Sequence, residues 1–160
     1  RKQTRTDPSK PHMRKAGVSD AQRIQELIRY YAKRDEMLPR SLNEIYENIR
    51  DFTVIEQDGA VVACGALHVC WDDLAEVKSL AVDPDYTRRG YGSRLVRNAV
   101  REAKKLDIYR VFTLTFQEGF FLKLGFNYID VNDLPKKVWF ECVNCVHFPD
   151  CDEVALVRYL

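Results

Sequence analysis

The sequence predicts an α/β fold, one sheet with helices packed on it, and three observations carry that prediction. Helical stripes and strand-like runs follow one another in mixed order along the chain. An Asp58-Gly59 pair lies between two strand-like runs, a strong hairpin signal. A strand that stops at Asp83-Pro84 leads through a glycine-containing loop into another helical stripe. The length of 160 residues suits one domain with one core.

Residues 1–12 read as a disordered basic leader or tag remnant, with Pro8, Pro11 and little to bury. Residues 13–160 form the predicted domain. Met13–Ala16 begins the first strand. Ser19 and Gln22 make a capping box for a helix whose stripe is Ile24, Leu27, Ile28 and Tyr31. After Pro39, Ser41 and Glu44 make a second capping box, and Leu42, Ile45 and Ile49 continue a short helix. The hairpin joins Phe52–Gln57 to a strand from Ala60 to about Val69. Ala75–Val82 is the third strand of this meander. Tyr91 to about Lys105 is helical, with Leu95, Val96, Ala99, Val100 and Ala103 on one face. Tyr109–Thr115 reads as a strand and Phe120–Leu124 as a helix stopped by Gly125. Phe126–Val131 and Glu153–Tyr159 read as the last strands.

Composition narrows the function classes. The chain is 46% hydrophobic and 31% charged, as in globular domains. No apolar run reaches the roughly 18–20 residues of a membrane span, and no signal peptide is visible, so a cytoplasmic protein is expected. Residues 1–15 carry a net charge of +5 within a total of +1. Such a tail can meet an acidic partner, but the rest of the chain holds no nucleic-acid motif, and no nucleic-acid partner is expected.

The segment Val82-Asp-Pro-Asp-Tyr-Thr-Arg-Arg-Gly-Tyr-Gly-Ser93 carries the most chemistry. The first amides of a helix lack internal partners and sit at the positive end of its dipole. Gly90 and Gly92 let the backbone approach an anion, and Arg88 and Arg89 add charge. That combination suits a pyrophosphate. Taken alone, the segment is also compatible with a flexible turn bearing a solvated Arg pair. It lacks the Gly-Lys-Ser/Thr of a P-loop and the third glycine of a dinucleotide-binding fold.

Thr87-Arg88-Arg89-Gly90-Tyr91-Gly92 resembles the acetyl-CoA motif Gln/Arg-x-x-Gly-x-Gly/Ala of the GNAT superfamily of N-acetyltransferases. It departs at Thr87. Phe120-Phe-Leu-Lys-Leu-Gly-Phe126 resembles a second GNAT signature, Phe-Tyr-x-Lys-x-Gly-Phe. The resemblance spans roughly residues 13–160. It implies a single mixed, mostly antiparallel sheet with helices on both faces and a splay between two central parallel strands. It also implies acetyl-CoA as cosubstrate, with no metal needed for the chemistry, and a homodimer. The cofactor would be held by Leu80, Ala81, Val82, Arg88, Arg89, Gly90, Tyr91, Gly92 and Ser93, with Phe121 beside it.

Leu38-Pro-Arg-Ser41, Cys64-Gly-Ala-Leu67, Phe112-Thr-Leu-Thr-Phe116 and Leu134-Pro-Lys-Lys-Val-Trp139 resemble N-acetylglutamate synthases of arginine biosynthesis, in the short form without a kinase-like domain. The implied acceptor is a small-molecule amino acid, L-glutamate first. Its carboxylates call for Arg forks or Lys charges. Arg40, Lys78 and Ser79 are the candidates, with Lys136 and Lys137 in reserve. Another amine, a peptide N-terminus or a non-catalytic CoA sensor remain alternatives.

An α-ammonium must lose a proton before it attacks a thioester. Glu76, a carboxylate within an apolar strand, is the candidate base, with a pKa raised by burial. A strand amide near Leu80 would hold the oxyanion. The family's Tyr acid is Phe121 here. Tyr91, Thr115, Tyr128 or solvent could protonate the thiolate, and His68 could relay protons.

Of five cysteines, Cys64 and Cys70 read as core thiols. Cys142, Cys145, His147 and Cys151 match a zinc site in ligand type but not in spacing. Reduced packing thiols are the simpler reading.

Overall fold

The computed structural model describes residues 7–135 and 153–160. β1 (His12–Lys15) pairs antiparallel with β2 (Phe52–Gln57). Residues 7–11, expected within a disordered leader, are instead tied to the β2 end. Asp58 N donates to Pro8 O at 2.7 Å and Gln57 Nε2 to Ser9 O at 2.8 Å.

Helix α1 (Ala21–Ala32) follows a 3-10 turn, Val18–Asp20. Ser19 is therefore not its cap. Asp20 stands at the helix start, and its carboxylate closes the 3-10 turn rather than capping α1: Gly17 N donates to it at 2.8 Å while Arg14 on β1 fixes it at 2.7 and 3.0 Å. Ala21, Ile24, Leu27 and Ile28 are buried, as the stripe predicts. Helix α2 (Leu42–Glu47) does start at a Ser41 cap, whose hydroxyl accepts from Glu44 N at 3.1 Å. It ends before Ile49, and a second 3-10 turn, Ile49–Asp51, leads into β2.

Asp58 and Gly59 both have positive φ, the signature of the tight hairpin turn joining β2 to β3 (Ala60–Trp71). β4 (Leu74–Val82) completes the antiparallel meander. Helix α3 (Tyr91–Lys105) crosses over to β5 (Arg110–Thr115), which lies parallel to β4. Helix α4 (Glu118–Leu122) and β6 (Asn127–Tyr128) precede β7 (Val154–Tyr159). The seven strands run β1-β2-β3-β4-β5-β7-β6. β6 is shorter than the predicted Phe126–Val131: Phe126 turns into the core under α3, and Val131–Asp133 is a 3-10 turn.

Helices cover both faces of the sheet. α1 and α2 pack on Phe52, Val54, Cys64 and Ala66, while α3 and α4 pack on Leu67, Ala75, Val77 and Leu156. Two irregularities in β4 set up the site. First, β4 pairs with β5 only at Leu74↔Arg110, Ala75↔Val111 and Glu76↔Phe112, and then the strands part. Thr113 Oγ1 bridges the opening by donating to Val77 O at 2.9 Å. Second, Cys64↔Ala81 is followed by Ala66↔Lys78, so β4 carries one extra residue between Lys78 and Ala81. Ser79 there has φ 55°. The bulge reverses the strand's alternation. Leu80 turns toward α3 and Ala81 toward α1, where regular pleating would place them the other way round.

Candidate active site

A cleft of about 660 Å³ opens where β4 and β5 part, a size that suits a small-molecule site. One end of it is the start of α3. Gly90 caps the helix at φ 80°, and Arg94 N makes the first intrahelical bond, to Gly90 O at 3.0 Å. The amides of Tyr91, Gly92 and Ser93 therefore lack partners within the helix. A Cβ on Gly92 would meet Phe120 Cζ at 3.3 Å, so glycine keeps this floor low. Arg88, at φ 62°, lines the same end. This cradle fits an anionic group such as the phosphates of a nucleotide cofactor. Arg89 turns away to stack on Tyr86, its guanidinium carbon 4.6 Å from the ring centroid, and does not line the cleft. Ala81 also lies outside the lining, packed into the core under α1.

The β4 edge forms one wall through Glu76, Val77, Lys78, Ser79, Leu80 and Val82. Asp83 N donates to Val62 O at 2.7 Å, so the neighbouring Val82 peptide groups point away from β3. The Val82 carbonyl accepts the Tyr31 hydroxyl from α1. Burial, reinforced by Tyr30, Glu36 and Asp83, pushes the Tyr31 phenol up from its ordinary pKa. Arg23 fastens α1 to this strand end, through Nε to Val61 O at 2.9 Å and Nη2 to Asp83 Oδ2 at 2.6 Å.

Glu76 sits at the last β4–β5 pair, 8% exposed, with its side chain on the cleft. Lys78 follows two residues on. Arg40 comes to the same cleft from the connection between α1 and α2. Its guanidinium lies 3.6 Å from Glu44 Oε2, a long pair to a half-exposed carboxylate, which makes it weak. Arg40 O accepts from Gln25 Nε2 at 3.3 Å, which holds the connection against α1.

The hydroxyls expected to replace the missing acid sort by geometry. Phe121 is buried between Phe120 and Phe126 and lines the cleft. Tyr91 turns its hydroxyl to Gln57 Oε1, in the core beneath the helix. Tyr128 is exposed, outside the lining, and donates to Glu118 Oε2 at 2.8 Å. Thr115 lines the cleft and accepts from Gln117 N at 2.8 Å. His68 stands behind Glu76, outside the lining. Cys64 is fully buried, its thiol pushed up to about 12 by burial, and is a core residue. Cys142, Cys145, His147 and Cys151 lie outside the described residues, as do Lys136 and Lys137. Among the described residues no cluster could hold a metal, and no helix is long and apolar enough to cross a membrane.

Sequence reasoning missed Tyr31, Glu36, Met37, Thr113, Phe120 and Glu153 as lining residues. Tyr31 reads as the end of an apolar stripe, and only its amphipathic tip hinted at a polar contact. Thr113 and Glu153 reach the cleft through strand pairings that no local pattern encodes.

Residues 19–126 match the Acetyltransferase (GNAT) family. An uncharacterized N-acetyltransferase of Chlorobaculum tepidum is 37% identical over 148 residues, covering 92% of this chain and 96% of that protein. An amino-acid acetyltransferase of Mycobacterium tuberculosis is 38% identical over 135 residues, covering 82% and 77%. The crystal structure of N-acetylglutamate synthase from Neisseria gonorrhoeae, complexed with coenzyme A and N-acetyl-glutamate, superposes with a TM-score of 0.86 at 28% identity. It covers 96% of this chain, which spans only 36% of that protein. A parted pair of parallel strands, a glycine-capped helix start and these kinships agree: the chain belongs to the GNAT family and is an acetyl-CoA-dependent acetyltransferase.

Proposed function

We propose that the enzyme acetylates the α-amine of a free amino acid, L-glutamate first. The observation that carries this reading is the meeting of Arg40, Glu76 and Lys78 in the cleft that begins at the α3 start. A carboxylate and two cations there match an acceptor with one amine and two carboxylates. The amino-acid acetyltransferase of Mycobacterium tuberculosis supports the acceptor class, and the gonococcal synthase supports glutamate.

In this reading acetyl-CoA supplies the acetyl group as a thioester. The amides of Tyr91, Gly92 and Ser93, with Arg88, hold its pyrophosphate. The outward-facing Val82 peptide groups and Leu80 receive its pantetheine arm. Arg40, Lys78 and the Ser79 hydroxyl hold the acceptor's carboxylates. Glu76 removes the ammonium proton so that the amine can attack. The amide of Leu80, in the bulge, stabilises the charge that builds on the carbonyl oxygen. Thiolate is a good leaving group, so Phe121 without a hydroxyl is compatible with turnover. The reaction would be the first step of arginine biosynthesis in the cytoplasm.

Release of CoA thiol is measured with acetyl-CoA against a panel of free amino acids, a polyamine and a short peptide. Saturable turnover with glutamate, weakened in KM by Arg40→Ala or Lys78→Ala, is expected. Turnover only with another acceptor overturns the glutamate assignment.

A further inference from the structure

We infer that His68 and Asp51 form the route by which the proton taken up at Glu76 leaves the site. The inference rests on the reading of Glu76 as the base. A base buried to 8% exposure must be emptied once per turnover, and the cleft side of Glu76 is where the acceptor binds. An exit on another side can empty the base while the cleft is still filled. In the β3–β4 register His68 stands directly opposite Glu76. Residues so paired share one face of the sheet, with Cβ atoms about 4.5–5.5 Å apart. Beyond His68, in the turn that enters β2, Asp51 Oδ2 lies 2.7 Å from the imidazole Nδ1. Glu76, His68 and Asp51 thus come in sequence from β4 across β3 to the start of β2.

The chemistry follows from that order. A carboxylate only accepts, so Nδ1 carries the hydrogen that bonds to Asp51. The neutral ring then presents a basic lone pair at Nε2, on its other edge. The acceptor's ammonium proton passes to a Glu76 oxygen and from there to Nε2. The ring, now protonated at both nitrogens, gives its Nδ1 proton to Asp51, which passes it to water. This leaves the Nε2–H tautomer, and exchange of the Nε2 proton for one at Nδ1 through solvent at the exposed ring restores the starting tautomer. His68 is 39% exposed and Asp51 26%, so the outer end of the route is more open to water than Glu76 at 8%. Asp51 also fixes the ring's orientation, as carboxylates do for functional histidines.

The test follows CoA release by the full chain at saturating acetyl-CoA and acceptor, at constant pH and ionic strength, as imidazole is added. Wild type is expected not to respond. His68→Ala is expected to turn over at least about tenfold more slowly, less than the roughly 100-fold lower end of direct acid–base effects because His68 acts through Glu76, and to recover as imidazole rises. Asp51→Asn is expected to slow turnover with His68 still present. His68→Gln serves as a second variant should the alanine form not fold. A His68 variant with wild-type turnover, or one slowed but indifferent to imidazole, overturns the relay and leaves the base assignment standing. Glu76→Gln with undiminished turnover overturns the base itself, and a wild type silent across all acceptors overturns the proposed function.

Discussion

The Thr113 hydroxyl donates to the Val77 carbonyl at 2.9 Å, one step beyond the last main-chain pair between β4 and β5. Two parallel strands that part would leave a buried carbonyl without a donor, and burial without a partner is costly. A side chain supplies the missing donor. The gap can therefore open at Glu76 without an orphaned group at its apex.

Thr113→Val keeps the shape and removes that donor. Stability is expected to fall by about 1–3 kcal/mol, the usual cost of an unsatisfied buried acceptor, while Thr113→Ser stays near wild type. Urea unfolding of both variants checks this. A Val variant as stable as the wild type would show that the apex does not need the bond.

Gly90 and Gly92 are needed for different reasons, and their alanine variants should fail differently. At Gly90 the space is open but φ is 80°, so alanine costs about 1–2 kcal/mol of backbone strain. At Gly92 alanine presses on Phe120 and raises the floor of the cleft at the α3 start. Gly92→Ala is expected to raise the KM for acetyl-CoA several-fold with a smaller change in stability. Steady-state kinetics beside thermal unfolding separate the two.

Arg14, followed by the Gly17 amide, holds the Asp20 carboxyl below the usual carboxylate range. A depressed folded pKa stabilises the fold above the unfolded value of about 3.9, and that contribution fades as pH falls through the folded value. Asp20→Asn should therefore be less stable than wild type at pH 7, and the difference should shrink below about pH 4. Urea midpoints from pH 7 to pH 3 test the sign. A constant difference across that range would place the effect elsewhere.

Cys64 is buried, with its thiol at about 12. It is expected to resist iodoacetamide at pH 8 in the folded protein and to react on unfolding, since the thiolate is the reactive form. Mass spectrometry of the Cys64 peptide reads this directly.

Features written in local chemistry were legible. The Asp58-Gly59 turn needs positive φ twice, and the sequence offers residues that tolerate it. The α3 start is marked by its glycines and arginines. The β4 bulge was not legible, because no glycine or proline stands in Leu74–Val82. Its accommodation is on the neighbouring strand: a Cβ on Gly65 would meet Leu80 Cδ1 at 3.0 Å. At α1 the sequence pointed to Ser19 as the cap, whereas the helix starts after Asp20, whose carboxylate Arg14 on β1 holds. The cleft shows the same division. Residues 76–93 could be read in order, whereas Tyr31 and Thr113 required knowledge of which strand ends meet.

That division has a consequence for how the enzyme could change. The end at the α3 start and the β4 wall come from one continuous stretch, 76–93, while the opposite side is contributed by residues 31–40, by 113–121 and by Glu153. Under the proposed function, exchange of the segment between α1 and α2 is expected to alter which amine is admitted and to leave the α3 end intact. The molecule is modular at the scale of a single connection, and variants of that connection are the economical place to look for new acceptors.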